Sequence, residues 1–244
     1  MKTLIIIPSR LSATRLPGKP LLKINGLSII SHVLNKAIEA NIGEVYVATE
    51  DQAIFDDITN NGGQAILTSN QHKTGTDRVY EAITKIDKSN VDLIMNLQGD
   101  EPMINVDDIK NLHAQMLQTK SSIGTLASKI EDVTLLKKQN VVKVVTEKSL
   151  DISNFPKAKN FVRNLDRQEA NSYHHLGVYC YKFQALKKFV ALNQSSNEIK
   201  NKLEQLRALD NNMSINVCLA KESSIGVDTK EDFVAIKKIM EYKS

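Results

Sequence analysis

Apolar runs alternate with helical periodicity from Leu4 to Gln118, and this alternation constrains the fold more than any other feature. Leu4-Ile5-Ile6-Ile7 is a continuous apolar run, the pattern of a strand buried on both faces. Ile29, Ile30, Val33, Leu34, Ala37 and Ile38 then recur at helical spacing. Glu44 to Thr49 reads as strand, Ile54, Phe55 and Ile58 mark a short helix, and Gln64 to Leu67 follows Gly62-Gly63 as a third strand. Asp77 to Ile86 is a helix, Val91 to Leu97 a strand, and Asn105 to Gln118 a helix that Asn105 is placed to cap. Such alternation implies right-handed crossovers and a mostly parallel sheet.

The pattern changes after about Ile123. Ile123 to Ile130, Val141 to Thr146 and His175 to Tyr181 read as strands without full helices between them, so antiparallel pairing enters here. Ser153 to Ser172 is polar, basic and weakly periodic, an excursion suited to movement or partner contact. Helices are expected from Phe183 and from Glu198 to Leu209, then a strand from Ile215 to Ala220 and a closing helix from Thr229 to Tyr242. With no repeat and no linker, the reading is one domain over residues 1–244 with a mixed-strand excursion at about 130–182.

Composition removes several function classes. At 41% hydrophobic and 25% charged, the chain is neither disordered nor fibrous. Aromatics are only 5% with no Trp, which disfavours a base-stacking platform. Thirty-two Lys and Arg against 28 Asp and Glu give a net +4 without a basic stripe, so no nucleic-acid partner is expected. Cys180 and Cys218 lie in apolar runs and read as reduced core thiols. The N-terminal apolar run is too short for a signal or a span, so no membrane association is expected and the location is read as cytoplasmic.

In open α/β sheets, ligands bind beyond the carboxyl ends of the strands. The loop after the first strand, Pro8 to Pro20, carries Arg10, Arg15 and Lys19 together with Gly18 and three prolines. It matches neither a dinucleotide fingerprint nor a Walker A loop. Cations on a stiffened loop suit a triphosphate; the plain alternative is a solvated basic loop. Asn96-Leu97-Gln98-Gly99-Asp100-Glu101-Pro102 closes the strongest interior strand. Asp100 is there a candidate Mg²⁺ ligand, or one half of an ordinary Gly-Asp turn. In Ile225 to Glu231, Asp228 with Glu231 three residues on is a helix-cap signature, so spacing alone does not make Asp228 a ligand. His72 to Arg78 offers hydroxyls, a glycine and a guanidinium for reading a nucleobase edge, and an ordinary capping loop fits nearly as well. His174-His175 has no Cys or His partner at metal-ligand spacing. Leu203 and Leu206 read as core positions, with Glu204 and Gln205 exposed or lining a pocket.

Taken in order, Arg10 to Leu21 (RLSATRLPGKPL), Thr74 to Arg78 (TGTDR), Asn96 to Pro102 (NLQGDEP), Asn140 to Val145 (NVVKVV), His175 to Tyr181 and Leu203 to Arg207 (LEQLR) resemble the 3-deoxy-manno-octulosonate cytidylyltransferase (CMP-Kdo synthetase) family. The likeness runs from about Lys2 to Ile239. It implies a Rossmann-like nucleotidyltransferase and a reaction: CTP plus the sugar acid Kdo gives CMP-Kdo and pyrophosphate, with Mg²⁺, for lipopolysaccharide synthesis. It further implies that Arg10, Arg15 and Lys19 hold the CTP phosphates and that Thr74, Gly75 and Arg78 recognise cytosine. Asp100 and Asp228 become metal ligands, forming the catalytic set with Lys19. Gln98, Lys157, His175, Glu204 and Gln205 become the Kdo-facing set. A homodimer contacting through the excursion is implied as well. Two departures fall in the acceptor half. Lys157 keeps the charge of the family's Arg without its planar fork, and Asn201 stands where the family usually has Glu. Alternatives are a cytidylyltransferase for a modified Kdo or a sialic-acid-like acceptor, a nucleotide-sugar-dependent glycosyltransferase, and a non-catalytic nucleotide-binding regulator.

Overall fold

The four residues Leu4 to Ile7 are wholly buried, as a strand covered on both faces requires. A computed structural model describes residues 1–12, 15–86, 90–223 and 226–242; Ala13, Thr14 and Ile225 of the motifs above lie outside them. The chain forms two compact units, Met1–Val106 with Ser224–Ser244, and Asp107–Ser223. Among the described residues no helix is long and apolar enough to cross a membrane.

The first unit runs β1 (Lys2–Ser9), β2 (Lys23–Ile24), β3 (Leu27–Ser28), α1 (Ile29–Ala40), β4 (Glu44–Thr49), α2 (Gln52–Asn60), β5 (Ala65–Leu67), α3 (Gly75–Thr84) and β6 (Val91–Asn96). Its long strands are all parallel, in the order β6-β1-β4-β5. The chain steps outward from β1 to β5, then returns to β6 on the other flank of β1. The carboxyl ends of β1 and β6 therefore form a topological switch point, where a crevice opens between loops that diverge. The expected strands and helices are present within a few residues. The long loop after β1 is not structureless, however: it holds a 3₁₀ turn at Lys19–Leu21 and the β2–β3 hairpin. Asn25 (φ 48°) and Gly26 (φ 82°) both adopt positive φ, the requirement of a tight two-residue hairpin turn.

The second unit contains most of α4 (Val106–Gln118), then β7 (Ile123–Ser128), β8 (Lys143–Thr146), β9 (Ala158–Val162), β10 (Ser172–Lys182), α5 (Phe183–Val190), α6 (Ser196–Asn201), α7 (Leu206–Asp210) and β11 (Ile215–Leu219). β7 pairs parallel with β11 and antiparallel with β10; β8 pairs antiparallel with β10 and β9. The mixed pairing expected after Ile123 is thus present. Within Ser153–Ser172 the structure differs from the sequence reading, since β9 is a paired strand with Ala158 and Phe161 buried. The segment before it is anchored too. Asn216 Nδ2 donates to Phe155 O (2.6 Å) and Val217 N to Pro156 O (2.8 Å). Gly124 makes room for this, because a Cβ there would lie 2.7 Å from Phe155 Cζ.

The single helix expected over Glu198–Leu209 is two short ones. Ser195 and Glu198 form a capping box that starts α6, and Lys202 (φ 54°) ends it in the left-handed region. The break lets Arg207 reach back to Glu198, which would stand ~13 Å away along an unbroken helix. Cys180 and Cys218 are buried and unbridged, and burial pushes both thiols up to about 12. The closing helix α8 (Lys230–Tyr242) belongs to the first unit, where Ile236 packs with Ile24, Ile29 and Val227.

Candidate active site

A cavity of about 340 Å³ lies at the switch point, wholly within the first unit. Arg10, Arg15 and Lys19 reach it from the loop after β1. His72, Lys73, Thr74, Gly75 and Arg78 reach it from the start of α3, Gln98, Gly99 and Asp100 from the loop after β6, and Asp228 from the turn before α8. The nucleotide-side residues that the sequence singled out are therefore brought together.

Local geometry explains the convergence. Asp51 Oδ2 accepts from Leu11 N (2.7 Å), tying the basic loop to the end of β4. Gly18, at φ 71°, reverses the loop and donates from its N to Leu11 O (3.1 Å), which sets Lys19 at the cavity wall. Gly99 lets the chain leaving β6 lie against β1, since a Cβ would stand 3.0 Å from Pro8 O and 2.9 Å from Ile30 Cδ1. Val227 N donates to Asp100 O (2.8 Å), joining the two segments that carry the carboxylates.

At the centre, Lys19 Nζ donates to Asp100 Oδ2 (2.6 Å), Val227 O (2.7 Å) and Asp228 Oδ1 (3.2 Å). Arg15 Nη2 adds a bond to Asp228 Oδ2 (2.9 Å). Burial works to lower the Lys19 pKa, but Asp100 and Asp228 outweigh it and hold the ammonium above its ordinary value. Asp228 does not cap α8. The cap is Thr229 with Asp232: Asp232 N donates to Thr229 Oγ1 (3.1 Å) and Thr229 N to Asp232 Oδ2 (2.9 Å). This one-residue shift corrects the cap expected between Asp228 and Glu231, and leaves the Asp228 carboxylate turned to the cations.

The oxygens around Lys19 Nζ are also the donor set a hard divalent cation prefers. The Asp100 and Asp228 carboxylates and the Val227 carbonyl, which surround the Lys19 ammonium, are oxygen donors of the kind that would suit Mg²⁺. Among the described residues no cluster of three or more His, Cys, Asp or Glu forms an all-protein metal cage.

Other side chains here are already engaged. Thr74 Oγ1 caps α3 by accepting from Asp77 N (3.2 Å). Arg78 is buried and ion-paired with Glu50, and its Nη1 donates to Thr68 Oγ1 (2.6 Å) and Ser69 O (3.3 Å). His72 contacts Glu81. Burial would raise the Glu81 pKa, but bonds from Lys85, Ser69 N–H and His72 bring it to about 2. Motif and spacing do not single out Glu50, Asp51 or Thr68. Their signal is position, because each lies at or just past the carboxyl end of β4 or β5.

Of the expected acceptor set, Gln98 lines this cavity, while Lys157, His175, Glu204 and Gln205 belong to the second unit. Lys157 is exposed next to β9. His175 is buried edge-on to Phe161, and burial, helped by His174, lowers its pKa to about 3. Its Nε2 lies 3.0 Å from Thr125 Oγ1, which itself donates to Val178 O (2.7 Å), so the neutral imidazole carries its proton on Nε2. Gln205 is buried and Glu204 half-buried in the turn between α6 and α7. Burial raises the Tyr179 hydroxyl pKa, and Tyr181 and Glu204 beside it add to the effect.

A parallel switch-point cavity with opposed cations and carboxylates is the architecture of a nucleotidyltransferase, and residues 4–215 match the cytidylyltransferase family model. The protein from Afipia carboxidovorans called 3-deoxy-manno-octulosonate cytidylyltransferase is 42% identical over 241 residues, covering 98% of this chain and 96% of its own. The Bartonella bacilliformis protein of that name is 37% identical over 248 residues, covering 98% and 99%. The chain belongs to the 3-deoxy-manno-octulosonate cytidylyltransferase family. A solved CMP:2-keto-3-deoxy-manno-octonic acid synthetase complexed with CTP superposes with a TM-score of 0.90 at 33% identity over the full length of both chains. The 4-diphosphocytidyl-2C-methyl-D-erythritol synthase of Anaerococcus prevotii, at TM-score 0.64 and 13% identity, shares the fold alone.

Proposed function

We propose that this chain transfers a cytidylyl group from CTP to 3-deoxy-D-manno-octulosonate, giving CMP-Kdo and pyrophosphate, with Mg²⁺ as cofactor. The observation that carries the reading is the Lys19–Asp100–Asp228 centre in a cavity at the β1/β6 switch point. Arg10, Arg15 and Lys19 offset the charge of the triphosphate and of the departing pyrophosphate. Thr74, Gly75 and Arg78 form the wall assigned to cytosine, with Glu50 holding the Arg78 guanidinium in place. Asp100 and Asp228 would hold Mg²⁺, which when bound acidifies the attacking hydroxyl and neutralises phosphate charge.

The anomeric hydroxyl of the sugar acid attacks the α-phosphorus in line. A new P–O bond forms, the bond from the α-phosphorus to the bridging oxygen breaks with its electron pair going to the departing pyrophosphate, and the hydroxyl proton passes to solvent. Such transfer asks the protein for positioning and charge neutralisation rather than for a covalent nucleophile. The buried thiols at about 12 are accordingly bystanders. In this reading Gln98, Lys157, His175, Glu204 and Gln205 face the acceptor, with His175 acting as a neutral hydrogen-bonding group. A role in lipopolysaccharide precursor synthesis, a cytoplasmic location and a homodimer contacting through residues 130–182 complete the proposal.

The test is pyrophosphate release from CTP and Mg²⁺ with Kdo, 8-amino-Kdo or N-acetylneuraminate as acceptor. Release with Kdo is expected. Release with only one of the others would move the acceptor assignment, and release with none, despite CTP binding, would refute the transferase reading.

A further inference from the structure

Two cations of the second unit have no part in the reaction above, and both bond to main-chain oxygens. Lys143, wholly buried in β8, donates from Nζ to Val141 O (2.7 Å), Lys138 O (3.0 Å) and Arg163 O. Arg163, just past β9, spreads its guanidinium over three further carbonyls at 2.8 Å: Nε to Asn201 O, Nη1 to Gln139 O and Nη2 to Lys202 O. Asn201 is the last residue of α6 and Lys202 its C-cap, where the final carbonyls have no partner within the helix. The Arg163 fork supplies that partner, and Lys143 fixes the backbone from which the fork projects.

The turn after α6 gives the clamp a purpose. Lys202 (φ 54°) directs the chain into Leu203-Glu204-Gln205, and α7 begins at Leu206. Behind the turn, Arg207 makes a bidentate pair with Glu198 (Nε–Oε2 2.9 Å, Nη2–Oε1 2.7 Å) and lies 4.7 Å over the Phe189 ring. The turn bearing Glu204 and Gln205 is thus fixed at both ends, by Arg163 where it begins and by Arg207 where it ends. Side-chain amides and carboxylates recognise a polyhydroxylated acid only when held to a fraction of an ångström.

We propose that Arg163 is a positioning residue for the acceptor: its guanidinium clamps the α6 terminus and thereby sets Glu204 and Gln205 for the sugar acid. The inference rests on the reading that these two residues face the acceptor. Arg163→Ala raises the KM for Kdo about tenfold and leaves the KM for CTP within about twofold. Arg163→Lys, which keeps the charge but loses the fork, recovers only part of the loss. Amide hydrogen exchange at residues 203–206 of Arg163→Ala speeds up by about tenfold or more. Glu204→Gln serves as the control and also raises the KM for Kdo. If Glu204→Gln raises it and Arg163→Ala does not, the positioning role is wrong and the acceptor reading survives. If Glu204→Gln changes nothing, the acceptor reading fails and takes the proposal with it. Equal increases in both KM values, or unchanged exchange at 203–206, would also overturn it.

Discussion

Two sets of cations, one in each unit, are held differently. In the first, cations meet carboxylates: Lys19 bridges Asp100 and Asp228, Arg15 adds to Asp228, and Arg78 pairs with Glu50. In the second, Lys143 and Arg163 meet backbone carbonyls. A carboxylate–ammonium centre can exchange partners when a phosphate or a divalent cation arrives, because each charge finds an equivalent partner in the ligand. A cation held by main-chain carbonyls fixes the backbone instead. In the proposed reaction the Lys19 centre holds the reacting charges, whereas Lys143 and Arg163, together with the buried Arg207–Glu198 pair, hold a turn in shape.

The largest expected effect tests the exchangeable side. Lys19→Met removes the cation between the carboxylates and lowers kcat/KM for CTP about 100- to 1000-fold, with little change in melting temperature. Steady-state kinetics alongside a thermal melt check it, and a fall below about tenfold would make Lys19 part of the scaffold. Next comes the buried Arg207–Glu198 pair, with side chains 2% and 4% exposed. Arg207→Met strands Glu198 and costs about 3–5 kcal/mol in urea denaturation. A cost near zero would mean that the pair does not hold the α6–α7 turn.

Acid should separate the units as well. The unfolded chain protonates His175 below its ordinary value of 6.5, whereas the folded protein resists until about 3. Below 6.5 the unfolded state binds more protons, so this group's stabilisation is lost as pH falls from 6.5 towards 3. Glu81 titrates at about 2 in the fold against 4.5 unfolded, so its contribution is intact above 4.5 and is lost between 4.5 and 2. His175→Gln therefore flattens the stability profile between pH 6.5 and 4.5, while Glu81→Gln alters it only below 4.5. Identical profiles for both variants would contradict the assignment. The smallest effect concerns the cap: Thr229→Ala costs about 1 kcal/mol and Glu231→Ala almost nothing. The reverse would restore the cap to Asp228 and Glu231.

The same contrast decides what can be read from the sequence. Periodicity locates β1, β4, β6 and α1, because burial on fixed faces leaves a pattern in residue type. The charged loop residues and Asp100 are visible because parallel strands send the residues that follow them to one edge. Asp228 is harder, since Thr229 and Asp232 offer a competing cap one residue along that only the backbone geometry selects. The β2–β3 hairpin is signalled by Asn25-Gly26 alone, because its two-residue strands are too short to show alternation. Lys143 stands in the NVVKVV motif, but neither its partners nor those of Arg163 can be read from sequence, as main-chain carbonyls carry no residue identity for a motif to record. The split of Glu198–Leu209 is hidden for a related reason: the left-handed Lys202 is held by Arg163, which lies in a different part of the chain.

Asp100→Asn tests most directly whether Asp100 and Asp228 form, with Lys19, the centre of cytidylyl transfer, because it keeps the shape and removes one of the two facing charges. Pyrophosphate release with CTP, Kdo and Mg²⁺ should fall at least about 100-fold while the melting temperature holds. Turnover within about tenfold of the unaltered protein would take Asp100 out of the reacting centre and contradict the proposed chemistry.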